Sequence, residues 1–420
     1  MNRQITLLFL LIFSCSLSAQ QTPLQLSLKD AEQIFLNNNL SLIAERYNVD
    51  MAQAQVLQAK LFDNPVITLE QNIYNRLNGK YFDLGKDGES GVQIEQAINL
   101  AGQRNKRVRL ERINKESAQL QFEEVVRTLG SELRETCVEV YYLTKSATIY
   151  DKEISSLEEL IKVTKEQEQK GNVSLLESSR MQALLLSLKK EKNETENELL
   201  DKKSELNLLL NLPAGQAVEL LFDEDVLKQL DLTTLPFAEL TAMLPGRPDQ
   251  RLALSTLDAS KANLKLQKSM AAPEFSIQGI YDRAGNFINN YFALGVSFSV
   301  PIFNRNQGNI KSARLEIQKS TSEKEYAVNK AYSELYTAYE QLQKAVNLYK
   351  STDSNLEQNF NQLIEGVNEG FRKRNISMLE FIDYYQSYKE TCLQLYDTKK
   401  NVFLSMENIN TVVGRNIFNY

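Results

Sequence analysis

Histidine is absent from all 420 residues, and with it go several classes of chemistry. No Ser-His-Asp set and no His-Glu-x-x-His helix can be written, and no glycine-rich phosphate loop is present. Beyond the N-terminal stretch only Cys137 and Cys392 remain, far apart and each inside a helix-like run. Two such cysteines neither staple a chain of this length nor form a zinc pattern, so they read as buried small hydrophobes. The sequence predicts no enzyme, no metal site and no cofactor. The formal charge is −6 and no basic stripe interleaves with aromatics, so nothing points to nucleic acid. After the N-terminus there is no run of 18 apolar residues, so no membrane-spanning helix is expected. Glycine and proline are scarce, 16 and 8, which favours long helices.

The N-terminus has a pattern of its own. Arg3 supplies a positive start, Ile5 to Phe13 an apolar core, and Ser16-Leu-Ser-Ala19 the small residues of a cleavage site. Residues 1–19 therefore read as a secretory signal. A lipoprotein variant would be cut before Cys15 and acylated there; Phe13 and Ser14 fit the required small-residue motif only in part.

Two places switch from a strand period to a helix period. One is Pro301 to Glu316, whose turn is Pro301-Ile-Phe303-Asn304-Arg305-Asn306-Gln307-Gly308. The other is Gly91 to Glu111, with Ala101-Gly102-Gln103-Arg104 at the turn. They belong to an internal repeat. Asn39–Tyr74 resembles Arg247–Asp282, with Pro65 matching Pro273. Gly91-Val92 matches Gly295-Val296, and Gly171–Glu177 matches Arg374–Glu380, all at a period of roughly 205 residues. Each half, 20–212 and 247–420, reads helix, strand, strand, long helix, turn, helix. The joining segment 213–246 and its flank hold four of the eight prolines.

Four segments alternate: 66–74, 90–98, 274–282 and 291–300. In the last, Phe292, Leu294, Val296, Phe298 and Val300 face one way, while Ala293, Gly295, Ser297 and Ser299 face the other. One apolar and one polar face on strands of about 9–11 residues fits a transmembrane β-barrel. A soluble sheet packed on helices has the same alternation, and the signal segment favours the barrel. Four strands cannot close a barrel, and open edges in lipid would strand backbone groups. Copies must share it: two chains would give eight strands, three would give twelve with room for a lumen.

From Gln103 to Lys170 there is no proline and one glycine, Gly130, a run of roughly 100 Å as a helix. Its second half keeps a coiled-coil seam: Leu133, Thr136, Val140, Leu143, Ala147, Tyr150, Ile154, Leu157 and Ile161. Asn309 to Phe371 reads as a second run of similar length. Each ends in a tight turn, Gly171-Asn172-Val173-Ser174 and Arg374-Asn375-Ile376-Ser377. Each turn is followed by a Ser-x-x-Glu capping box, closing at Glu177 and Glu380. Asp383 shares a face with Glu380. The two carboxylates read either as first-turn dipole compensation or, in a symmetric assembly, as a ring of negative charge at a mouth that draws cations.

These features together resemble the TolC family of outer-membrane efflux proteins. The resemblance rests on Asn-Leu at 39, Arg-Pro-Asp at 247–249, the Ala-Gly-Gln-Arg joint and the two tips. Within that family, Pro301 to Ile310 and Leu100 to Arg104 are similar to the joints of the cobalt-zinc-cadmium exporter branch. The resemblance implies a mainly α fold with a membrane β-barrel part: a homotrimer closing a twelve-stranded barrel, with a helical coiled-coil barrel in the periplasm. It implies outer-membrane lipid around the strands, a periplasmic adaptor at the tips Gly171–Ser174 and Arg374–Ser377, and an inner-membrane RND-type pump upstream. Glu380 and Asp383 match the acidic aperture positions. Arg374 departs from the pattern, since the first tip and most relatives have glycine there. The expected role is a passive exit duct for divalent heavy-metal cations. The alternatives are the same fold exporting organic drugs or a polypeptide, a soluble periplasmic coiled-coil scaffold, and a periplasmic binding module.

Overall fold

A computed structural model describes residues 23–85, 87–232, 235–284, 288–352 and 356–420. The signal segment 1–19, with Cys15, lies outside the described residues. In chain order the elements are β1 (Leu24–Ser27), α1 (Leu28–Asn38), α2 (Leu40–Ala59), β2 (Val66–Gln71), β3 (Tyr74–Asn75), β4 (Lys80–Tyr81), β5 (Ser90–Ile98), α3 (Gln103–Gln169), α4 (Leu175–Leu209) and β6 (Val218–Leu221). Two short helices, Val226–Gln229 and Phe237–Met243, follow. Then come α5 (Pro248–Ser269), β7 (Glu274–Ala284), β8 (Asn289–Ser299), α6 (Gln307–Ser351), α7 (Leu356–Arg372) and α8 (Met378–Val413). No helix among the described residues is long and apolar enough to cross a membrane.

The contacts divide the chain into two compact units that interleave in sequence. One unit is Ala44–Glu124 with Pro245–Lys330. It holds an antiparallel sheet of order β2-β5-β7-β8, so that β5–β7 pairing joins the two repeats. Register decides what this sheet can do. Ile67 pairs with Ile94, Leu69 with Val92, and Val92 in turn with Tyr281. Ile98 pairs with Phe275, Phe275 with Phe298, Ile277 with Val296, and Tyr281 with Phe292. Directly paired residues share a face, so one face is apolar across all four strands. The opposite face carries Thr68 against Gln93, Glu95 against Gln278, and Ser276 against Ser297. Phe292, Leu294, Val296 and Phe298 of the apolar face are each more than half exposed, at 76%, 82%, 58% and 62%.

The first strand is shorter than its alternation suggested. It stops at Gln71, and Tyr74 enters a small hairpin with Tyr81 instead. The hairpin is tied down by the Asp83 carboxylate, which accepts from Asn75 Nδ2 (3.1 Å), Asn78 Nδ2 (2.5 Å) and the Gly85 N–H (2.8 Å). In the same unit the helices meet through small polar residues. Ser117 and Ser255 hydroxyls lie 2.8 Å apart, and those of Ser260 and Ser320 2.9 Å apart.

The other unit is the remainder: residues up to Ile43, Val125–Leu244 and Ala331–Tyr420. The seam on α3 is the core it was expected to be. Leu133, Thr136, Val140, Ala147, Tyr150, Leu157 and Ile161 are buried, and Leu143 and Ile154 half-buried. Also buried on the same helix are Cys137, Val138, Tyr142 and Ile149, and the last three pack in one cluster with Val402 and Phe403 of α8. Cys137 and Cys392 are both buried and form no disulfide with each other, and burial pushes the Cys137 thiol up to about 12. Two features were not anticipated. β1 and β6 form a parallel pair, with Leu24 opposite Val218. The second long helical run is interrupted after Ser351. There Ser351 and Thr352 hydroxyls both bond back to the Leu348 carbonyl, at 2.7 and 3.1 Å. Serine and threonine hydroxyls compete in this way with the helix's own bonds.

Candidate functional site

Both hairpin tips are built the same way from the backbone outward. At the first, the Gly171 N–H bonds the Glu168 carbonyl and the Asn172 N–H bonds Gln167, both at 2.9 Å. At the second, the Arg374 N–H bonds Phe371 at 3.0 Å and the Asn375 N–H bonds Gly370 at 2.8 Å. Both turns pass through positive φ, +72° at Gly171 and +60° at Arg374. A capping box then starts each following helix, since an N-terminus leaves free N–H groups that a serine oxygen can fill. Ser174 Oγ accepts from the Glu177 N–H at 3.2 Å, and the Glu177 carboxylate accepts from the Ser174 N–H at 2.9 Å. Ser377 and Glu380 repeat this at 3.3 and 2.7 Å. The backbone and hydroxyl of Ser174 hold the Glu177 carboxyl below its usual range, and those of Ser377 do the same for Glu380.

The tips meet each other. Arg374 Nη2 donates to the Asn172 carbonyl at 3.3 Å. Between them lies an open cavity of about 240 Å³, lined by Leu160, Thr164, Phe371, Ile376 and Met378 with Arg374 at its polar side. Phe371 stacks on Phe381 at 4.5 Å, and Phe381 on Tyr385 at 4.6 Å, so an aromatic ladder runs from the tip into the helical layer. Val173 and Ile376 are half-buried, while Gly171, Asn172, Ser174, Arg374, Asn375 and Ser377 are exposed.

Glu380 and Asp383 are both exposed on α8, one turn apart. Their situations differ. The Glu380 carboxylate is engaged with its own cap, whereas Asp383 lies beyond it.

The two strand-to-helix joints converge on the end of α5. Gln103 is buried and its Nε2 donates to the Ser269 carbonyl at 3.1 Å, while Asn306 Nδ2 donates to the Gln267 carbonyl at 2.8 Å. Orphan carbonyls at one helix terminus thus hold both joints. Ala101, Gly102 and Asn306 adopt positive φ of 54°, 65° and 57°. Arg104 stacks on Phe62 at 4.2 Å and its guanidinium donates to the Lys60 carbonyl. In the second joint Asn304 Oδ1 accepts from the Asn306 N–H, and Arg305 Nε donates to the Ile302 carbonyl. Gln307 donates to the Phe303 carbonyl, and Gly308 lies in open space in the first turn of α6. Phe303, just past Pro301, is 91% exposed, unusual for a phenylalanine.

Sequence reasoning missed several buried charges of the helical unit. Arg134 pairs with Glu407 at 2.7 Å and with Glu32 at 2.8 Å, and Glu407 is fully buried. Burial pushes the Glu407 carboxyl up more than Arg134 pulls it down. Glu224 takes Lys399 at 2.9 Å and also Lys145. Glu153 is buried with neither oxygen hydrogen-bonded. Glu153 was visible in principle: it stands three residues after Tyr150 and four before Leu157, beside Ile154 at the edge of the seam.

The model of the family described as outer membrane efflux protein matches residues 32–212. No curated protein sequence matches the chain. Solved structures do. CusC, whose structures concern folding and transmembrane channel formation, is 18% identical with a TM-score of 0.74, covering 96% of each chain. The CmeC outer membrane channel of Campylobacter jejuni is 16% identical with a TM-score of 0.74, covering 93% of this chain and 87% of its own. The open state of the MtrE outer membrane channel of Neisseria gonorrhoeae is 16% identical with a TM-score of 0.73, covering 93% and 89%. The chain has the fold of these outer-membrane channels, and its residues 32–212 match the outer membrane efflux protein family.

Proposed function

We propose that this chain is the outer-membrane exit duct of a tripartite efflux system. Three copies share one twelve-stranded barrel, a periplasmic adaptor docks on the hairpin tips, and an RND-type inner-membrane pump supplies the cargo. The observation that carries this reading is the sheet. An apolar face continuous across four strands, with two unpaired antiparallel edges at β2 and β8, leaves lipid and further copies as its natural partners. A water-soluble sheet with such a face and open edges would aggregate. The paired tips supply a second surface, where an apolar cavity lies between two capped turns.

The cargo reading is divalent heavy-metal cations. Its support is the likeness of both joints to the metal-exporter branch and the carboxylate pair Glu380 and Asp383, which three copies would set as a ring. Weak acidic rings concentrate cations and still release them. Planar-bilayer recording tests this. The double variant Glu380→Ala with Asp383→Ala should lose cation preference or gain conductance. Unchanged selectivity would leave Glu380 as a helix cap and remove the support for cation cargo.

A further inference from the structure

The helical unit contains a carboxyl group that its surroundings do not satisfy. Glu153 is only 2% exposed, and neither carboxylate oxygen has a hydrogen-bond partner. Four helices close around it. From its own helix comes Tyr150, whose phenol lies near Thr195 and Glu191. From α4 comes Glu191. From α8 come Lys389, which gives its Nζ to Glu191 at 2.7 Å, and Tyr385, whose phenol lies near Ser156 and Asn368. From α7 come Asn368 and, beyond it, Arg372, which pairs with Glu159 at 2.8 Å. The one cation close to Glu153 among the described residues is thus committed to another carboxylate. An ionised carboxylate with no partner in an apolar layer is far costlier than a neutral acid.

We propose that Glu153 is a proton-binding site, held as the neutral acid by this layer, and that its ionisation draws Lys389 from Glu191 and loosens α4 from α8. Two carboxylates then compete for one ammonium. The layer is the same one into which the Phe371–Phe381–Tyr385 ladder runs, so the hairpin tips are mechanically next to it. The proposal rests on the packing of one compact unit and stands independently of the channel reading.

Burial pushes the Glu153 carboxyl up to about 8, against an ordinary value of 4.5. The sign follows: the folded chain binds a proton that the unfolded chain has released between those values, so stability falls as pH rises through that window. One such proton changes the folding equilibrium by up to tenfold per pH unit.

The test uses the full chain in detergent. Infrared titration of wild type minus Glu153→Gln should show a protonated carboxyl that persists at pH 7 and titrates near 8. The melting midpoint of the wild type should fall relative to Glu153→Gln as pH rises from 5 to 9, with α4 and α8 amides exchanging faster. A difference spectrum without that carboxyl, or melting curves that stay parallel, overturns the proposal. Glutamine keeps the shape and neutrality of the acid, so folding is expected. Should it fail to assemble, Lys389→Met is titrated instead: removing the cation must move the midpoint to higher pH, and an unmoved midpoint is equally fatal.

Discussion

Gly171 and Arg374 stand at the same place in two turns, and each turn is closed by the same two backbone hydrogen bonds, from that residue and from the asparagine after it. Both adopt positive φ, where glycine is at ease and an L residue with a side chain is strained by about 1 kcal/mol. The turn geometry is therefore not set by the residue at that position. It is set by the ends of the flanking helices, which need their carbonyls and N–H groups satisfied, and by the identical capping boxes that follow. What differs is reach. Glycine ends the first tip with nothing beyond the backbone, whereas Arg374 extends across to the Asn172 carbonyl. One tip bridges to the other at a modest conformational cost.

The largest effect is expected when Ser174 and Ser377 are both replaced by tryptophan. That change puts bulk on both tips, at Ser377 directly on the cavity between them, and cross-linking to the adaptor should be lost while the assembly stays intact. Persistent cross-links would put docking elsewhere. Next come the single changes Ser174→Ala and Ser377→Ala. Each removes one N-cap and should cost about 1 kcal/mol, equally at the two tips, by denaturant or thermal melting. Unequal costs would mean that the tips are not equivalent in energy despite their geometry. Smaller still is the pair Gly171→Ala and Arg374→Gly. The first should destabilise by up to about 1 kcal/mol, the second should be neutral or slightly stabilising because strain relief offsets the lost bridge. Spin labels on Lys170 and Lys373 should then report a broader distance distribution in Arg374→Gly than in the wild type.

The pH dependence is the mildest of these effects. Glu177 and Glu380 are held below their usual range by their caps, so their contribution is fully present above the unfolded value near 4.5 and is lost as pH falls through the folded one. Melting between pH 6 and 3 should therefore be less steep for Glu380→Gln than for the wild type. The direction is opposite to that at Glu153, whose contribution is lost on the alkaline side.

Much of this was legible before any coordinates. The capping boxes are four-residue words with a local physical meaning, and the helix starts at Asn39 and Arg247 are similar. Asn39 Oδ1 caps the Leu42 N–H at 3.0 Å, and Pro248 opens α5 behind a bidentate Arg247–Asp249 pair. Strand alternation is equally local, and cross-strand register turned it into one apolar face. The rest depended on partners far away in sequence. The β1–β6 pair joins four-residue segments some 190 residues apart, too short to show a period. Arg134, Glu153 and Glu407 are charged letters inside apolar seams, where charge normally marks a solvated face. Only the packed neighbours Glu32 and Lys389 reveal what those charges do.

Whether the exposed apolar sheet belongs to a barrel shared between copies in the outer membrane is tested by the native mass and membrane partition of the full-length protein from an outer-membrane extract. A shared barrel gives a particle of three chains that needs detergent to stay in solution. A water-soluble monomer or dimer would contradict it, and the channel reading would fall with the barrel.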